Sequence, residues 1–473
     1  MKIGLVVEGS YPYVSGGVAS WVQMIMTQFS EHEFTIFAIV PSISSGQTYQ
    51  YTIPDNVAEI VVIPLLSEEA EKRIKPSLTQ EEVLILQKWF TFQSADSQAL
   101  ELIANPNKIG TLDAFFESPA FYQIVKESYF YEESSGSFLD YFWMWRSMFT
   151  PIIRILQIKL PELDLVHAVS TGYGGLLAAA ISHKLHIPYL LTEHGIYTRE
   201  REEEILQSSW IPIEYKNRWI DFFHHLSRQA YEQASDIITL FERNSLYQKE
   251  LGAPVHKLHI VPNGVNIEDY AELRKPKVFT DTIVISAIIR VVPIKDLKTM
   301  IYAAKLVSDH KIPFIFYLMG PDAEEPEYAQ ECRDLIKQLQ LEDKVIMTGR
   351  VDIKEYLTKT DILVLTSVSE GQPLAMLEGM AAGIPWIATD VGSCKELVFG
   401  MEGDKEGQCG FIVPPVSPEQ VASYMEWYYH HPESIQEFGD NGRRRIEKQY
   451  QLVDVIDNYR KLYNKRGGQT WQE

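Results

Sequence analysis

Cysteine is scarce in this 473-residue chain, and long apolar runs are missing from its sequence. The three cysteines, Cys332, Cys394 and Cys409, form no metal-type spacing and cannot all pair, so we expect reduced thiols in a cytoplasmic protein. No stretch of about 18 apolar residues occurs, so the sequence predicts no membrane span. The opening residues KIGLVVE form a short apolar run that ends at Glu8, which indicates a first buried strand rather than a signal peptide.

Basic residues are too few to balance the acidic ones. The chain has 43 Lys and Arg against 64 Asp and Glu, a formal net charge of −21. Such a surface repels nucleic acid and anionic lipid, so neither is expected as a bulk partner, and an anionic small ligand would need a few locally placed cations. A hydrophobic content of 45% with 23% charged residues is typical of a folded globular protein. Beyond a cytosolic location, we expect at most a peripheral position at the inner membrane face through protein partners.

Short apolar runs alternate with helical stretches, which indicates an α/β fold with parallel sheets covered by helices. Between about 66 and 160 this rhythm gives way to amphipathic, aromatic-rich helix, which predicts a helical insertion in the first half. The predicted strands lie at 2–8, 34–40, 59–65, 163–169, 188–194, 236–241 and 257–264 in the first half, and at 282–290, 314–320, 344–350, 361–367, 385–390 and 410–415 in the second.

Residues 269–282 form a polar segment without a clear hydrophobic period, and we predict that they link two α/β domains. A chain of this length is too long for one ordinary domain and sufficient for two. The domains are predicted at 1–272 and 273–451, and a final helix within 452–473 is predicted to cross back onto the first. We expect a cleft between the two halves. Open α/β sheets bind ligands at the carboxyl ends of their strands, so chemistry is expected in the loops that follow strands.

Two cations flank the loop after the first strand of the second half. Arg290 ends that strand, and Lys295 leads into the next helix, whose N-terminus adds free N–H groups and a partial positive charge. Arginine grips phosphate oxygens bidentately, whereas lysine acts as a point charge. The pair predicts a diphosphate pocket; the alternative is two solvated surface cations.

Two glutamates stand eight positions apart in a later strand–loop–helix segment. Glu370 lies in the loop, and Glu378 falls in the second turn of an apolar helix for which Pro373 is a suitable first residue. A buried carboxylate without a partner is costly, so Glu378 should find hydroxyl or N–H donors, and a ribose diol would supply them. The alternative is a glutamate simply exposed at the helix edge.

Weaker signals lie in the first half of the chain. Gly16 and Gly17 precede an apolar helix, where missing side chains let backbone amides approach a ligand, although a tight packing turn explains them equally. His194 follows a strand and points toward the predicted cleft, although a histidine at a strand end is more often structural. The nearby Arg199 and Arg201 suit a helix-start charge cluster.

A further turn is expected where the first half ends. Asn263 and Gly264 follow the last predicted strand of that half, and turn formation alone explains them.

Together these elements resemble one family. SEGQPLAMLEGMAAGIPWIATDVGS is similar to the E-x7-E region of retaining glycosyltransferases of family 4, and Arg290 with Lys295 is similar to that family's phosphate clamp. Gly16-Gly17 resembles its N-terminal glycine loop, and VPNGVN its N-G-V element. More narrowly, GLVVEGSYPYVSGGVASWV, TEHGIYTRER and EGQPLAMLE resemble the PelF-like group, cytosolic glycosyltransferases of Pel exopolysaccharide systems. Many family members have Phe-Gly after the first glutamate, where this chain has Gly371-Gln372-Pro373.

The resemblance implies the GT-B fold, in which two Rossmann-like domains face each other across a cleft and the second holds a nucleotide sugar. It implies that Glu378 accepts the ribose hydroxyls and that Glu370 lies near the hydroxyls of the donor sugar. The backbone of Gly349 and Arg350 would meet the base, which favours uridine. The remaining substrate contacts that it implies are Gly16, Gly17, Gly371, Gln372, Pro373 and Leu374, with Gly392 and Ser393 in the same pocket.

The function expected from the resemblance is retaining, metal-independent sugar transfer from a UDP-sugar, either UDP-glucose or a UDP-N-acetylhexosamine, to a growing exopolysaccharide. Arg290 and Lys295 would stabilise the departing diphosphate, and His194 would orient the sugar; no cofactor is expected. A nonhydrolysing UDP-sugar epimerase is one alternative. The other is an inert UDP-sugar-binding subunit of a membrane synthase, since membrane-embedded synthase subunits are expected partners.

Overall fold

The computed structural model describes residues 1–43, 48–66, 72–131, 136–273 and 281–467. Within these ranges thirteen strands form two sheets, one of seven strands and one of six, and every pairing is parallel. The chain divides into two compact units. Unit 1 comprises Met1–Thr239, Asn244–Ile260 and Tyr459–Glu473, and unit 2 comprises Leu240–Arg243 and Val261–Asn458.

The sheet of unit 1 has the first strand of the chain in its interior. Its strand order is 3-2-1-4-5-6-7, so the order reverses between the first and fourth strands. Most of its strands are buried along nearly their whole length, as expected for a parallel sheet that helices cover on both faces. The strands are β1 (Lys2–Glu8), β2 (Glu33–Val40), β3 (Val57–Pro64), β4 (Leu165–Ala168), β5 (Tyr189–Glu193), β6 (Asp236–Thr239) and β7 (Leu258–Ile260).

Helices fill the connections of unit 1, and five of them lie between β3 and β4, where the helical insertion was predicted. Aromatic side chains pack inside the insertion: the ring centroids of Phe90 and Phe149 are 4.3 Å apart, and those of Trp145 and Phe149 are 5.1 Å apart. The helices are α1 (Gly17–Gln28), α2 (Gln80–Phe90), α3 (Ser97–Ala104), α4 (Leu112–Phe116), α5 (Pro119–Tyr131), α6 (Phe138–Leu156), α7 (Gly172–Leu185), α8 (Tyr197–Gln207), α9 (Ile213–Gln233) and α10 (Glu242–Glu250).

Unit 2 repeats the same architecture with six strands in the order 10-9-8-11-12-13. Its strands are β8 (Ile283–Ile288), β9 (Phe314–Met319), β10 (Val345–Gly349), β11 (Ile362–Leu365), β12 (Trp386–Thr389) and β13 (Gly410–Val413). Its helices are α11 (Leu297–Asp309), α12 (Pro326–Gln338), α13 (Ile353–Leu357), α14 (Leu374–Ala381), α15 (Cys394–Phe399), α16 (Pro418–His430) and α17 (Glu433–Gln449), followed by α18 (Leu452–Arg466). Short 3₁₀ turns lie at Val255–Lys257, Ile267–Leu273 and Pro293–Lys295.

The α/β fold with two Rossmann-like sheets is confirmed, and each predicted strand has a counterpart within a few residues. The strands were predictable because each is a short, β-rich apolar run bounded by polar or glycine residues. The last helix, α18, begins in unit 2, and its residues from Tyr459 onward belong to unit 1.

The division between the units differs from the predicted boundary at 272–273, because unit 2 resumes at Val261. The physical reason is hydrogen bonding within unit 2. The Val265 amide donates to the Tyr450 carbonyl at 2.9 Å, and the Leu452 amide donates to the Val265 carbonyl at 3.1 Å. The predicted linker 269–282 starts inside the turn Ile267–Leu273, and its residues 274–280 lie outside the described residues.

Across the described part of the chain, none of the helices has the length and apolarity needed to cross a lipid bilayer.

Candidate functional site

The centre of the unit 2 sheet is the place where its strand order reverses. From β8 the chain moves outward to β9 and β10, and then returns to β11 on the other side of β8. The loops that leave the carboxyl ends of β8 and β11 therefore depart in opposite directions and leave a crevice between them, which is where open α/β sheets hold ligands. The loop after β8 carries Arg290 and Lys295, and the loop after β11 carries Glu370.

Lys295 and Glu370 are brought together at this crevice. The Lys295 Nζ lies 2.5 Å from the Glu370 Oε1, and the Ser367 hydroxyl donates to the same oxygen at 2.5 Å. The two charged side chains are only 18% and 10% exposed. Removing one partner from a pair so poorly solvated would leave the other charge uncompensated. Each residue therefore needs its partner, or a ligand that carries the same charge as that partner.

Backbone contacts hold the two loops against each other. The Thr366 hydroxyl donates to the carbonyl of Asp296 at 2.8 Å, and the Val368 amide donates to the carbonyl of Ile294 at 2.9 Å. Thr366 and Val368 lie on the β11 loop, and their acceptors lie on the β8 loop. These hydrogen bonds between the two loops, and not the ion pair alone, therefore set the distance between the Lys295 and Glu370 backbones.

A glycine in the loop after β12 supports Glu370 from behind. Gly392 has a positive φ of 51°, and a Cβ there would lie 2.1 Å from the Gly371 carbonyl oxygen and 2.4 Å from that of Glu370. The amide of the adjacent Ser393 donates to the Gly371 carbonyl at 3.0 Å. Only glycine permits this approach, so the segment Glu370–Gly371 rests directly on the Gly392 backbone.

Arg290 is paired with a carboxylate that the sequence pattern does not single out. Its Nη1 donates to Glu324 Oε1 and Oε2 at 2.7 and 2.9 Å. Glu324 follows β9, whose carboxyl end adjoins that of β8; this adjacency comes from the order of the strands in the sheet, and no local sequence pattern signals it. Both members of the predicted cation pair thus hold an anionic group, Arg290 at a half-exposed position and Lys295 at a nearly enclosed one.

Glu378 lies in the second turn of α14, as predicted, and is partly buried. Burial raises the pKa of its carboxyl group, and the positive charge of Lys354 opposes that rise. No hydrogen-bond donor from the described residues reaches this carboxylate, so the donors expected for it, such as those of a ribose diol, would have to come from a ligand. Tyr270 is a neighbour that sequence reasoning missed: burial raises the pKa of its phenol, with a further contribution from Glu378.

The residues at the start of α14 have structural partners. Pro373 precedes the helix as its N-cap, rather than being its first residue as predicted, because its backbone is extended. The Asn263 amide donates to the Gln372 side-chain oxygen at 2.5 Å, which ties the predicted Asn263–Gly264 turn to this segment. Leu374 is partly buried against the core of unit 2.

The loop after β10 contains the predicted base-binding pair. Gly349 has a positive φ of 67° with open space where a Cβ would lie, and its carbonyl accepts from the Gly320 amide at 3.0 Å and from the Thr348 hydroxyl at 2.9 Å. Arg350 is exposed. The carbonyl of Gly349 is therefore committed within the chain, and the exposed Arg350 side chain can reach a ligand.

The remaining predicted residues belong to unit 1. Gly16 and Gly17 lie exposed at the N-terminus of α1, and a Cβ added to either would meet no atom within 4 Å, so close packing does not explain them. His194 directly follows β5 and is partly buried, and this burial lowers the pKa of its imidazole to about 4. Arg199 stacks on Tyr247, with 4.8 Å from the guanidinium carbon to the ring centroid.

Arg201, the second arginine of the helix-start cluster, turns toward the sheet. Its guanidinium lies 3.9 Å from Glu8 Oε1 at the end of β1 and donates to Glu204 Oε2 at 2.6 Å. The hydroxyl of Tyr197 donates to the same Glu8 oxygen at 2.7 Å. Burial raises the pKa of Glu8, and the Arg201 charge opposes this rise.

Two family models match this chain, one in each half. Residues 1–256 match the family model described as "Domain of unknown function (DUF3492)", and residues 269–445 match "Glycosyl transferases group 1". The MMP alpha-(1->4)-mannosyltransferase of Mycolicibacterium hassiacum is 25% identical over 319 residues, which cover 66% of this chain and 73% of that protein. The putative glycosyltransferase EpsD of Bacillus subtilis is 28% identical over 344 residues, covering 66% of this chain and 82% of its own.

Solved structures share the fold over nearly the whole chain. HepE of Anabaena, whose structure was determined in complex with UDP, superposes with a TM-score of 0.63 at 16% identity, covering 98% of this chain and 100% of its own. The sucrose-phosphate synthase of Thermosynechococcus elongatus superposes with a TM-score of 0.60 at 16% identity, covering 98% of each chain. At such identity the likeness concerns the fold.

Proposed function

Because this chain belongs to the DUF3492 family and its second half is a glycosyl transferases group 1 domain, it is a glycosyltransferase, and we propose that it transfers a sugar from a UDP-sugar to a growing exopolysaccharide with retention of anomeric configuration. The observation that carries the donor assignment is the pair of cations after β8, each of which already holds a carboxylate. The complex of HepE with UDP supports uridine as the nucleoside.

The diphosphate is the group that these cations would hold. Negative charge builds up on it as the bond between the sugar C1 and the phosphate oxygen breaks. Arg290 can bind two phosphate oxygens with its planar guanidinium, and Lys295 adds a point charge in a poorly solvated position, where electrostatic stabilisation is strongest. These two side chains supply the charge neutralisation, so the proposed reaction is metal-independent and requires no cofactor.

Glu370 changes partner in this proposal. When the diphosphate takes over Lys295, the Glu370 carboxylate becomes free to accept hydrogen bonds from hydroxyls of the donor sugar, with Ser367 and Gly392 fixing its position. The acceptor hydroxyl attacks C1 from the face that the diphosphate leaves, and its proton passes to the departing phosphate oxygen. His194 orients the transferred sugar.

Glu378 is proposed to accept the hydroxyls of the ribose. The support is its unfilled hydrogen-bonding capacity within the described residues, combined with burial that raises the pKa of its carboxyl group. A diol would satisfy both carboxylate oxygens. Gly349 and Arg350 are proposed to meet the base, and the backbone from Gly371 to Leu374, with Gly16 and Gly17, to complete the contacts to substrate.

The finer assignment is a PelF-like enzyme of Pel exopolysaccharide synthesis that uses UDP-glucose or a UDP-N-acetylhexosamine. We place it in the cytoplasm, with membrane-embedded synthase subunits as partners at the inner face of the membrane. The segments TEHGIYTRER, in the first half of the chain, and EGQPLAMLE, in the second half, support this assignment, because both resemble segments of the same PelF-like group.

The deciding experiment incubates the protein with UDP-glucose, UDP-N-acetylglucosamine and UDP-N-acetylgalactosamine, each with and without short glycan acceptors. Products are identified by mass and by anomeric NMR. An acceptor extended by one sugar with the donor's anomeric configuration supports the proposal. Inversion contradicts the retaining mechanism, interconversion of UDP-sugars without acceptor identifies an epimerase, and binding without turnover identifies an inert subunit.

A further inference from the structure

The imidazole of His194 lies against a cluster of aromatic rings from distant parts of the chain. The cluster comprises Trp21, His167, Tyr459 and Tyr463. The ring centroid of Trp21, on α1, is 5.0 Å from that of His194, and the two planes meet at 73°. We propose that Trp21 and Tyr459 are positioning residues that fix the His194 imidazole in one orientation and direct its Nδ1 toward the substrate. This inference rests on the proposed function, because it gives His194 its role.

The two ring nitrogens of His194 have different surroundings. Its Nε2 is buried and has no hydrogen-bond partner among the described residues. An enclosed nitrogen cannot reach a ligand without movement of the ring. Nδ1 is therefore the nitrogen through which His194 can contact a sugar hydroxyl, provided that the imidazole ring does not rotate and exchange the positions of its two nitrogens.

Trp21 is placed to prevent that rotation of the His194 ring. Its side chain is 4% exposed, and it makes edge contacts with three rings: His194 after β5, Tyr459 on α18 at 5.2 Å, and His167 on β4 at 5.6 Å. Rotation of His194 would require Trp21 to move, and Trp21 is held from two other directions. Close packing of this kind holds side chains in single rotamers.

Hydrogen bonds fix the base of the cluster. His167 uses both ring nitrogens, one with the Tyr463 hydroxyl at 2.9 Å and the other with the Thr192 hydroxyl at 2.8 Å, and Thr192 also contacts the Tyr459 hydroxyl at 3.2 Å. Tyr459 and Tyr463 lie on α18. The last helix of the chain thus sets the position of Trp21, and through it the orientation of His194.

The test compares two buried tryptophans of unit 1. Trp21→Leu removes the contact with His194, whereas Trp145→Leu removes an equally buried ring, also with an unpartnered Nε1, whose ring contacts are Phe90, Tyr141 and Phe149. We expect Trp21→Leu to lower kcat by about 10- to 100-fold with little change in the KM for donor, because misplacing a group that orients the substrate has costs of this order. Trp145→Leu should retain kcat, and Trp21→Phe should recover part of it.

Imidazole ¹⁵N NMR supplies a second readout that does not depend on turnover. The His194 resonances are assigned by their loss in His194→Ala. They should show one ring environment in the wild type and in Trp145→Leu, but an altered or exchange-broadened one in Trp21→Leu. If Trp21→Leu does not fold, Tyr459→Leu removes a ring that packs against Trp21 and so tests the support of the His194 contact, with Tyr459→Phe as the variant that keeps the ring.

Unchanged His194 resonances together with wild-type kcat in a folded Trp21→Leu variant would overturn the proposal. Equal losses of kcat in Trp21→Leu and Trp145→Leu would overturn it as well, since they would point to general destabilisation. If the wild type transfers no sugar from any UDP-sugar, the proposed function fails, and the NMR comparison still decides whether Trp21 holds the ring.

Discussion

Replacing Glu324 by glutamine should strengthen the binding of UDP. The Glu324 carboxylate accepts two hydrogen bonds from the Nη1 of Arg290, at 2.7 and 2.9 Å, and so occupies a guanidinium nitrogen that a phosphate group would use. A donor diphosphate must therefore displace Glu324 before Arg290 can hold it. Glutamine keeps the size of the side chain but removes the charge, so it competes less well for the guanidinium.

The size of the effect follows from the exposure of the pair. The Arg290 and Glu324 side chains are 43% and 50% exposed, so their ion pair contributes only about 0.2–1 kcal/mol after solvent screening. Removing that competition should lower the Kd for UDP by at most about fivefold, since about 1.4 kcal/mol corresponds to a factor of ten. The gain should shrink as salt concentration rises, because salt screens exposed charges.

Titration calorimetry with UDP measures this effect, and Glu331→Gln is the matched control. Glu331 forms an ion pair of similar exposure with Lys298, also at 2.7 Å, so the control makes the same change in net charge away from Arg290. In an Arg290→Ala background, Glu324→Gln should give no gain. If UDP binds Glu324→Gln no more tightly than the wild type, the proposal that Arg290 holds the diphosphate is contradicted. An equal gain in affinity in Glu331→Gln would contradict it as well.

Three further predictions concern the ribose contact, the loop geometry and the response to acid. Glu378→Ala should weaken UDP binding measured by calorimetry, by about 1–3 kcal/mol if the ribose hydroxyls lose their acceptor, and unchanged affinity would contradict that role. Gly392→Ala should cost about 1–2 kcal/mol of backbone strain and about 1–3 kcal/mol of overpacking in urea unfolding, with a loss of turnover. Gly403→Ala, at a φ of 89° with no atom within 4 Å of the added Cβ, should lose only the stability that backbone strain costs. Equal losses of stability in the two variants would contradict the claim that a Cβ at Gly392 overpacks the loop. Burial lowers the pKa of His225 to about 3, so unfolding lets it take up a proton below about pH 6.5, and the free energy of unfolding should fall as the pH drops from 7 to 5. His225→Phe should reduce that fall, and an undiminished pH dependence would place it elsewhere.

The strands could be predicted because their signal is local. Runs such as 2–8 and 361–367 are short, apolar and bounded by polar residues, and a parallel sheet that is buried on both faces requires this composition. The same reasoning located Arg290, Lys295 and Glu370 in loops after strands. It also located the helical insertion, although the segments 67–71 and 132–135 within it lie outside the described residues.

Partners that lie far apart along the chain could not be predicted. Glu324 and Arg290 are separated by 34 positions, and nothing in the pattern around Glu324 distinguishes it from other acidic residues near helix starts. The division between the units at Val261 depends on hydrogen bonds from Val265 to Tyr450, which no local pattern encodes.

Local sequence patterns were enough to locate the strands, the charged loops and the family pattern that these loops resemble, because hydrophobic periodicity and glycine placement act over a few residues. The pairing of side chains became visible in the folded chain: Lys295 with Glu370, Arg290 with Glu324, and the ring of His194 with that of Trp21. Those contacts depend on strand order and on helix packing, which bring residues from separate segments together within each unit, and the energy that selects them is spread over the core of that unit.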